Sequence, residues 1–209
     1  MSTVAEALKR DVVVAVVRAE DAAGASRAVD ALVAGGVRGI EITFTTPGAE
    51  EAIAVLAQRY GKHITLGAGT IRTAAQATIA VEAGAAFLVS PGTDVDLAVQ
   101  MASTRAFLLL GALTPSEVLS ALSAGAGFVK LFPASLGGPA YLRSLRGPFP
   151  DVAFCPTGGV NPTTIPDWLS AGAVALGAGS ELCSSAQIAA GDWTGIEENA
   201  RAFAAAARS

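Results

Sequence analysis

Short apolar runs alternate along the chain with longer alanine-rich stretches whose apolar positions recur every three or four residues. Runs rich in β-branched residues read as buried strands and the periodic stretches as amphipathic helices. On this reading an N-terminal helix over Thr3 to Arg10 precedes a first strand at Val12 to Val17. Glu20 and Asp21 open a helix that stops at Gly35-Gly36, glycine being common just past a helix C-terminus. Further strands are expected at Gly39 to Thr43, Ile64 to Ala68, Phe87 to Ser90, Ala106 to Leu110, Phe128 to Leu131, Val152 to Cys155 and Ala173 to Leu176. Between them lie helices at Ala49 to Tyr60, Thr73 to Ala83, Asp94 to Thr104, from Thr114 onward, Ala140 to Leu145 and Pro162 to Ala171, with a last one over Trp193 to Ala207. Thr114-Pro115-Ser116-Glu117 has the form of a capping box, with proline early and glutamate three after threonine. Eight strand–helix units in 209 residues, about 26 each, predict an α/β protein: a compact (β/α)8 TIM barrel, a single domain over 1–209 with an N-terminal helix. The rival, a doubly wound open sheet, usually has fewer strands and a glycine-rich turn after the first. Here Val17-Arg18-Ala19-Glu20 follows the first strand, and the glycines cluster late.

Composition narrows the function. With 52% hydrophobic and 15% charged residues the chain suits one large core. A formal net charge of −4 without a basic block argues against a nucleic-acid partner. No apolar run approaches the roughly 20 residues of a membrane span, and the first residues lack the apolar segment of a secretory signal. The two cysteines and the single histidine, His63, lack metal-ligand spacing. The expectation is a cytoplasmic protein without metal or cofactor.

The sequence has three lysines, and Lys130 is the one flanked by apolar residues on both sides. An ammonium buried without a partner is costly, so lysines in such places tend to be neutral, and a neutral amine attacks carbonyl carbon. The plainer alternative is a lysine whose stem is buried and whose head reaches water. Period-two alternation puts Phe128, Lys130 and Phe132 on one face of their strand and Val129 and Leu131 on the other. On the second strand Ile40 and Ile42 take the helix side, leaving Glu41, Thr43 and Thr45 inside. A carboxylate and a lysine thus share the barrel interior, either as a structural ion pair or as a pair tuned for proton transfer. Arg18, at the end of the first strand, is a candidate anion ligand or a surface arginine. Thr70 is a candidate hydroxyl donor or the cap of the next helix. Pro156-Thr157-Gly158-Gly159-Val160-Asn161 and Gly177-Ala178-Gly179-Ser180 follow the seventh and eighth strands, where barrels of this kind commonly bind phosphate through backbone N–H groups. Cys155 and Cys183 read as small core residues, and Trp168 and Trp193 as packing or interface residues.

These residues resemble a known family, the Schiff-base aldolases acting on 2-keto-3-deoxy-6-phosphogluconate (KDPG) and 4-hydroxy-2-oxoglutarate (KHG). The resemblance covers nearly the whole chain: Val14-Ala15-Val16-Val17-Arg18, Gly35-Gly36-Val37, Gly39-Ile40-Glu41-Ile42-Thr43-Phe44, Gly67-Ala68-Gly69-Thr70, Phe87-Leu88-Val89-Ser90-Pro91, Thr114 to Glu117, Val129-Lys130-Leu131-Phe132-Pro133, Gly147 to Pro150, and Cys155-Pro156-Thr157-Gly158-Gly159-Val160. It implies Lys130 as the Schiff-base lysine and Glu41 as the general acid/base. Thr70, Pro91 and Phe132 would line the pyruvate end, and Gly158, Gly159, Gly179 and Ser180 the phosphate end. It also implies a phosphorylated keto-sugar acid as substrate, pyruvate as product, a place in the Entner–Doudoroff pathway, and a homotrimer. Thr45 stands where many members carry an arginine for the substrate carboxylate, while Arg18 is found in a branch that includes enzymes for the galactonate epimer. Leu110-Gly111 replaces a usual Pro-Gly, and Glu181 follows Ser180 where a tryptophan type is common. Two readings from other classes are a phosphosugar isomerase or epimerase, with Lys130 purely electrostatic, and a non-catalytic barrel that binds a phosphate ligand.

Overall fold

The computed structural model describes residues 3–208; Met1, Ser2 and Ser209, which complete the 1–209 span, lie outside the described residues. Eight parallel strands form one sheet in the order β7-β6-β5-β4-β3-β2-β1-β8. They are β1 (Val13–Val17), β2 (Gly39–Thr43), β3 (Thr65–Gly69), β4 (Phe87–Val89), β5 (Phe107–Ala112), β6 (Phe128–Leu131), β7 (Phe154–Pro156) and β8 (Leu176–Ala178). Pairing of β1 with both β2 and β8 bends the sheet round on itself. A parallel bridge between Thr157 and Gly177, with the Val174 N–H donating to Phe154 O at 3.0 Å, brings the two remaining edges together. The expected TIM barrel is therefore present.

Helix α1 (Val4–Asp11) precedes the barrel, capped by Thr3 with Glu6 in a capping box. The others are α2 (Ala22–Ala34), α3 (Ala49–Tyr60), α4 (Ala74–Glu82), α5 (Val95–Ser103), α6 (Pro115–Ser123), α7 (Gly138–Arg146), α8 (Ile165–Ser170), α9 (Ser185–Ala190) and α10 (Trp193–Ala206). Asp21, Thr73, Asp94 and Thr114 cap their helices through side-chain oxygens, each accepting a backbone N–H three residues on.

Three expectations need correction. The seventh strand is Phe154–Pro156 rather than Val152 to Cys155, and the eighth is Leu176–Ala178 rather than Ala173 to Leu176. Their limits are set by neighbours: β8 starts where Leu176 meets Val13, and β7 where Phe154 meets Val129. The loop after β8 consequently starts at Gly179, with Gly177 and Ala178 in the strand. The helix expected from Pro162 begins at Ile165, because Asn161 Oδ1 accepts the N–H groups of Thr163 and Thr164 and holds a turn there. Helix α9 was not among the expected elements.

The strands sort their side chains in alternation. Val13, Ala15, Val17, Ile40, Ile42, Val129 and Leu131 face the helices in the larger apolar cluster. Val14, Phe87, Val89, Leu109, Phe128, Cys155 and Ala175 fill the barrel with Leu8 of α1. Phe107 and Phe128 meet edge to face at 5.0 Å between ring centres. Inward-facing glycines make room for large neighbours: a Cβ on Gly67 would overlap the Phe87 ring. Gly67→Ala is therefore expected to destabilise the protein by about 1–3 kcal/mol, the usual cost of overpacking a core, read as a lower urea midpoint with the slope unchanged.

Candidate active site

The carboxyl-terminal half of the barrel interior is polar where the lower half is apolar. Glu41 sits at the middle of β2, in register with Val16 and Gly67, and Lys130 on β6, in register with Gly111 and Cys155. The adjoining interior positions are therefore small or modest. Gly69 matters most: a Cβ there would occupy the place of the Glu41 carboxylate, so glycine is what lets this side chain lie across β3. The same logic holds at Gly111, where a Cβ would run into the backbone of Pro91.

Lys130 Nζ lies 3.8 Å from Glu41 Oε1, both side chains almost fully removed from solvent. This exceeds the usual length of an N–H···O bond. Glu41 Oε1 is buried without a hydrogen-bond partner among the described residues. The two groups attract through a medium of low polarizability without being tied together, which leaves each able to bond to a third group placed between them. Lys130 Nζ also lies 5.3 Å from the centre of the Phe132 ring, which is 38% exposed at the mouth. Thr43, fully buried, donates to Val17 O at 3.1 Å and meets the Thr45 hydroxyl at 2.9 Å. Alternation follows the expectation from sequence for Glu41, Thr43 and Lys130, whereas Thr45, expected inside, is exposed because β2 ends at Thr43.

Beside this pair opens a cavity of about 320 Å³ lined by Val16, Arg18, Phe132, Thr157 to Val160, Gly179 to Glu181, Cys183 and Ser185. The four candidate phosphate residues, Gly158, Gly159, Gly179 and Ser180, share it with Arg18. Gly158 and Gly159 have φ of 99° and 75°, a region that side-chain-bearing residues rarely enter, so the turn after β7 depends on them. Arg18 is exposed and forms no ion pair among the described residues. The Ser185 hydroxyl donates to Arg18 O at 3.2 Å and ties the start of α9 to the end of β1. Thr70 and Pro91 do not line this cavity. Pro91 borders a separate depression with Ile71, Arg72, Gly92, Thr93, Asp94 and Leu97. Thr70 has φ of 56°, and the cap of α4 is Thr73, not Thr70.

Thr157 and Cys155 were not assigned to the site from sequence. Thr157 is buried, lines the cavity and points its hydroxyl toward Cys155 O at 3.4 Å; its place inside the Thr-Gly-Gly turn was the available signal. Cys155, expected to be a plain core residue, is a buried residue of the barrel interior in register with Lys130. Burial pushes its thiol up to about 12, with Lys130 acting in the opposite sense, so it is a thiol and not a nucleophile at neutral pH. Among the described residues no group of three or more His, Cys, Asp or Glu side chains is placed to hold a metal ion. No helix among them is long and apolar enough to cross a membrane.

Known proteins resemble this chain in sequence and in fold. A family model described as KDPG and KHG aldolase matches residues 4–199. The chain is 38% identical over 173 residues to the 2-dehydro-3-deoxy-phosphogluconate aldolase of Pseudomonas aeruginosa, covering 82% of this chain and 78% of that one. It is 38% identical over 172 residues to the KHG/KDPG aldolase of Escherichia coli K12, covering 82% and 80%. Among solved structures, the KDPG aldolase of Legionella pneumophila, with pyruvate captured as a covalent carbinolamine, superposes with a TM-score of 0.88 at 31% identity over 97% of this chain and 98% of that one. A barrel with its lysine and glutamate side by side in the interior, matched by a family model over nearly its whole length, belongs to the KDPG and KHG aldolase family of carbon–carbon lyases.

Proposed function

We propose that the enzyme cleaves KDPG reversibly to pyruvate and D-glyceraldehyde 3-phosphate, and KHG to pyruvate and glyoxylate, with Lys130 as the Schiff-base lysine and Glu41 as the acid/base. The observation that carries this reading is the buried Nζ to Oε1 distance of 3.8 Å at the end of the barrel where such enzymes work. The amine of Lys130 adds to the C2 ketone, and the carbinolamine takes up a proton and loses water to give a protonated imine. That cation draws electrons from the C3–C4 bond. Glu41 takes the proton of the C4 hydroxyl, the C3–C4 bond breaks, and the aldehyde departs with its new carbonyl. The electron pair left behind forms an enamine. Glu41 returns its proton to C3, and water hydrolyses the imine to release pyruvate and free the lysine. The water released and the proton taken up when the imine forms are exchanged back when it is hydrolysed.

Phe132 stands against the Lys130 amine and walls the reacting end, with Thr70 and Pro91 assigned to the pyruvate side. Gly158, Gly159, Gly179 and Ser180 offer backbone N–H groups and a hydroxyl to the phosphate, and Arg18 adds a cation to the same cavity. Residues 1–209 are taken as one catalytic unit, without cofactor, in a cytoplasmic Entner–Doudoroff step. A homotrimer is supported by apolar side chains left open to solvent on three successive outer helices: Ile79 on α4, Val95 and Val99 on α5, and Leu119 and Leu122 on α6.

A second substrate reading, the galactonate epimer, rests on Arg18 in the lining of the cavity and on Thr45 at the position where the family resemblance expects an arginine. Coupling pyruvate release to lactate dehydrogenase with KDPG, the epimer and KHG tests both at once. The proposal expects kcat/KM highest for KDPG. No pyruvate from any of the three would remove the aldolase assignment, and a preference for the epimer would replace the substrate.

A further inference from the structure

Arg18 and Glu181 are the two residues with ionised side chains among those that line the 320 Å³ cavity. Neither joins an ion pair with any described residue, and both are exposed, so water and the cavity's occupant are what each charge meets. Their formal charges cancel. The remaining polar groups of the lining are the Thr157, Ser180 and Ser185 hydroxyls, the Cys183 thiol and the backbone of two glycine-containing turns. Burial pushes the Cys183 thiol up to about 12, so it carries no charge near neutrality. A phosphomonoester above its second ionisation, near pH 6, bears two charges. A cavity built only to hold such a group gains nothing from an unpaired acidic residue in its lining, since a like charge there opposes the ligand.

We propose that Glu181 sets how far the enzyme prefers phosphorylated over unphosphorylated substrates, by repelling the second charge of a dianion at this cavity. The inference rests on the phosphate reading of the cavity given above and concerns a residue to which that reading gives no role. The backbone donors and Arg18 favour any anion, while Glu181 subtracts most from the group with the most charge. A substrate whose distal group is a single carboxylate, as in KHG, is smaller and carries one charge fewer at that end. It is penalised less. The chain thereby accepts both substrate types in place of committing to the phosphorylated one.

The test compares wild type with Glu181→Gln, which keeps the shape and removes the charge. One unit charge acting across a screened, solvent-open cavity alters affinity by about three- to tenfold. The ratio of kcat/KM for KDPG to that for KHG is expected to rise by that factor, and calorimetric binding of inorganic sulfate, a dianion throughout the neutral range, to tighten by the same amount. Glu181→Asp, which restores the charge, is expected to return both readouts toward wild type. An unchanged ratio together with unchanged sulfate affinity overturns the proposal. So does weaker sulfate binding in the Gln variant, which would make Glu181 a support for the loop. Tighter sulfate binding without turnover of either substrate would overturn the aldolase assignment and leave the role of Glu181 standing.

Discussion

Lys130→Arg is expected to lower kcat/KM by about five orders of magnitude, the scale on which loss of a covalent nucleophile acts, and to leave no borohydride-trapped pyruvate on the protein. Arginine is the informative replacement. It keeps a positive charge beside Glu41, whereas Lys130→Met would strand a buried carboxylate at a cost of about 3–5 kcal/mol and confuse misfolding with lost chemistry. A guanidinium is not deprotonated in a protein and forms no imine. If Lys130 acted only as an electrostatic group, as in an isomerase or epimerase, arginine would retain a substantial part of the activity. Loss of turnover with an intact thermal transition selects the covalent role; retention of more than about a hundredth of the wild-type rate excludes it.

Much of this was legible in the sequence because a strand's side-chain period is two. Ile40 and Ile42 around Glu41, and Val129 and Leu131 around Lys130, show which way each polar residue points, and both point inward. Their distance was not legible, since β2 and β6 are far apart in the sheet order and only barrel curvature brings them together. Nor was the part played by Gly69: a glycine in Gly67-Ala68-Gly69-Thr70 reads as a turn, and only the Glu41 carboxylate lying over it shows the need for hydrogen at that position. The limits of β7 and β8 were misplaced for a related reason. Val152, Ala153, Ala173 and Val174 are as apolar as the strand residues, and the ladders with β6 and β1 decide where pairing starts.

Helix α9 is a different case. Ser184-Ser185-Ala186-Gln187 carries a complete capping box, with Ser184 accepting the Gln187 N–H and Gln187 Oε1 accepting back. The signal was present but short, and six residues of mostly small side chains give no clear apolar period. The omission mattered because Ser185, through its bond to Arg18 O, ties the last barrel loop to the first. That tie holds the backbone at Arg18 against the start of α9, a relation between residues 167 positions apart that no local pattern carries.

Glu41→Gln is expected to lower kcat by a factor of about 10²–10⁴, the usual contribution of a positioned general base, while pyruvate still becomes trapped on Lys130 by borohydride. Glutamine is close to glutamate in shape, so it fits over Gly69 as the carboxylate does and the barrel layer stays filled. What it removes is the negative charge, and with it the proton-accepting oxygen, 3.8 Å from the lysine amine. Imine formation needs the amine and the ketone to meet; breaking C3–C4 needs the C4 hydroxyl proton to leave, and protonating the enamine needs one to arrive. Exchange of the pyruvate methyl hydrogens with deuterium reports imine formation and proton transfer at C3 without any C3–C4 cleavage. It is expected to slow in parallel with KDPG cleavage if one carboxylate serves both. Cleavage that fails while exchange persists at the wild-type rate would confine Glu41 to the C4 hydroxyl. A variant within tenfold of wild type in both would remove Glu41 from proton transfer and leave it as the counter-charge that holds Lys130 in place.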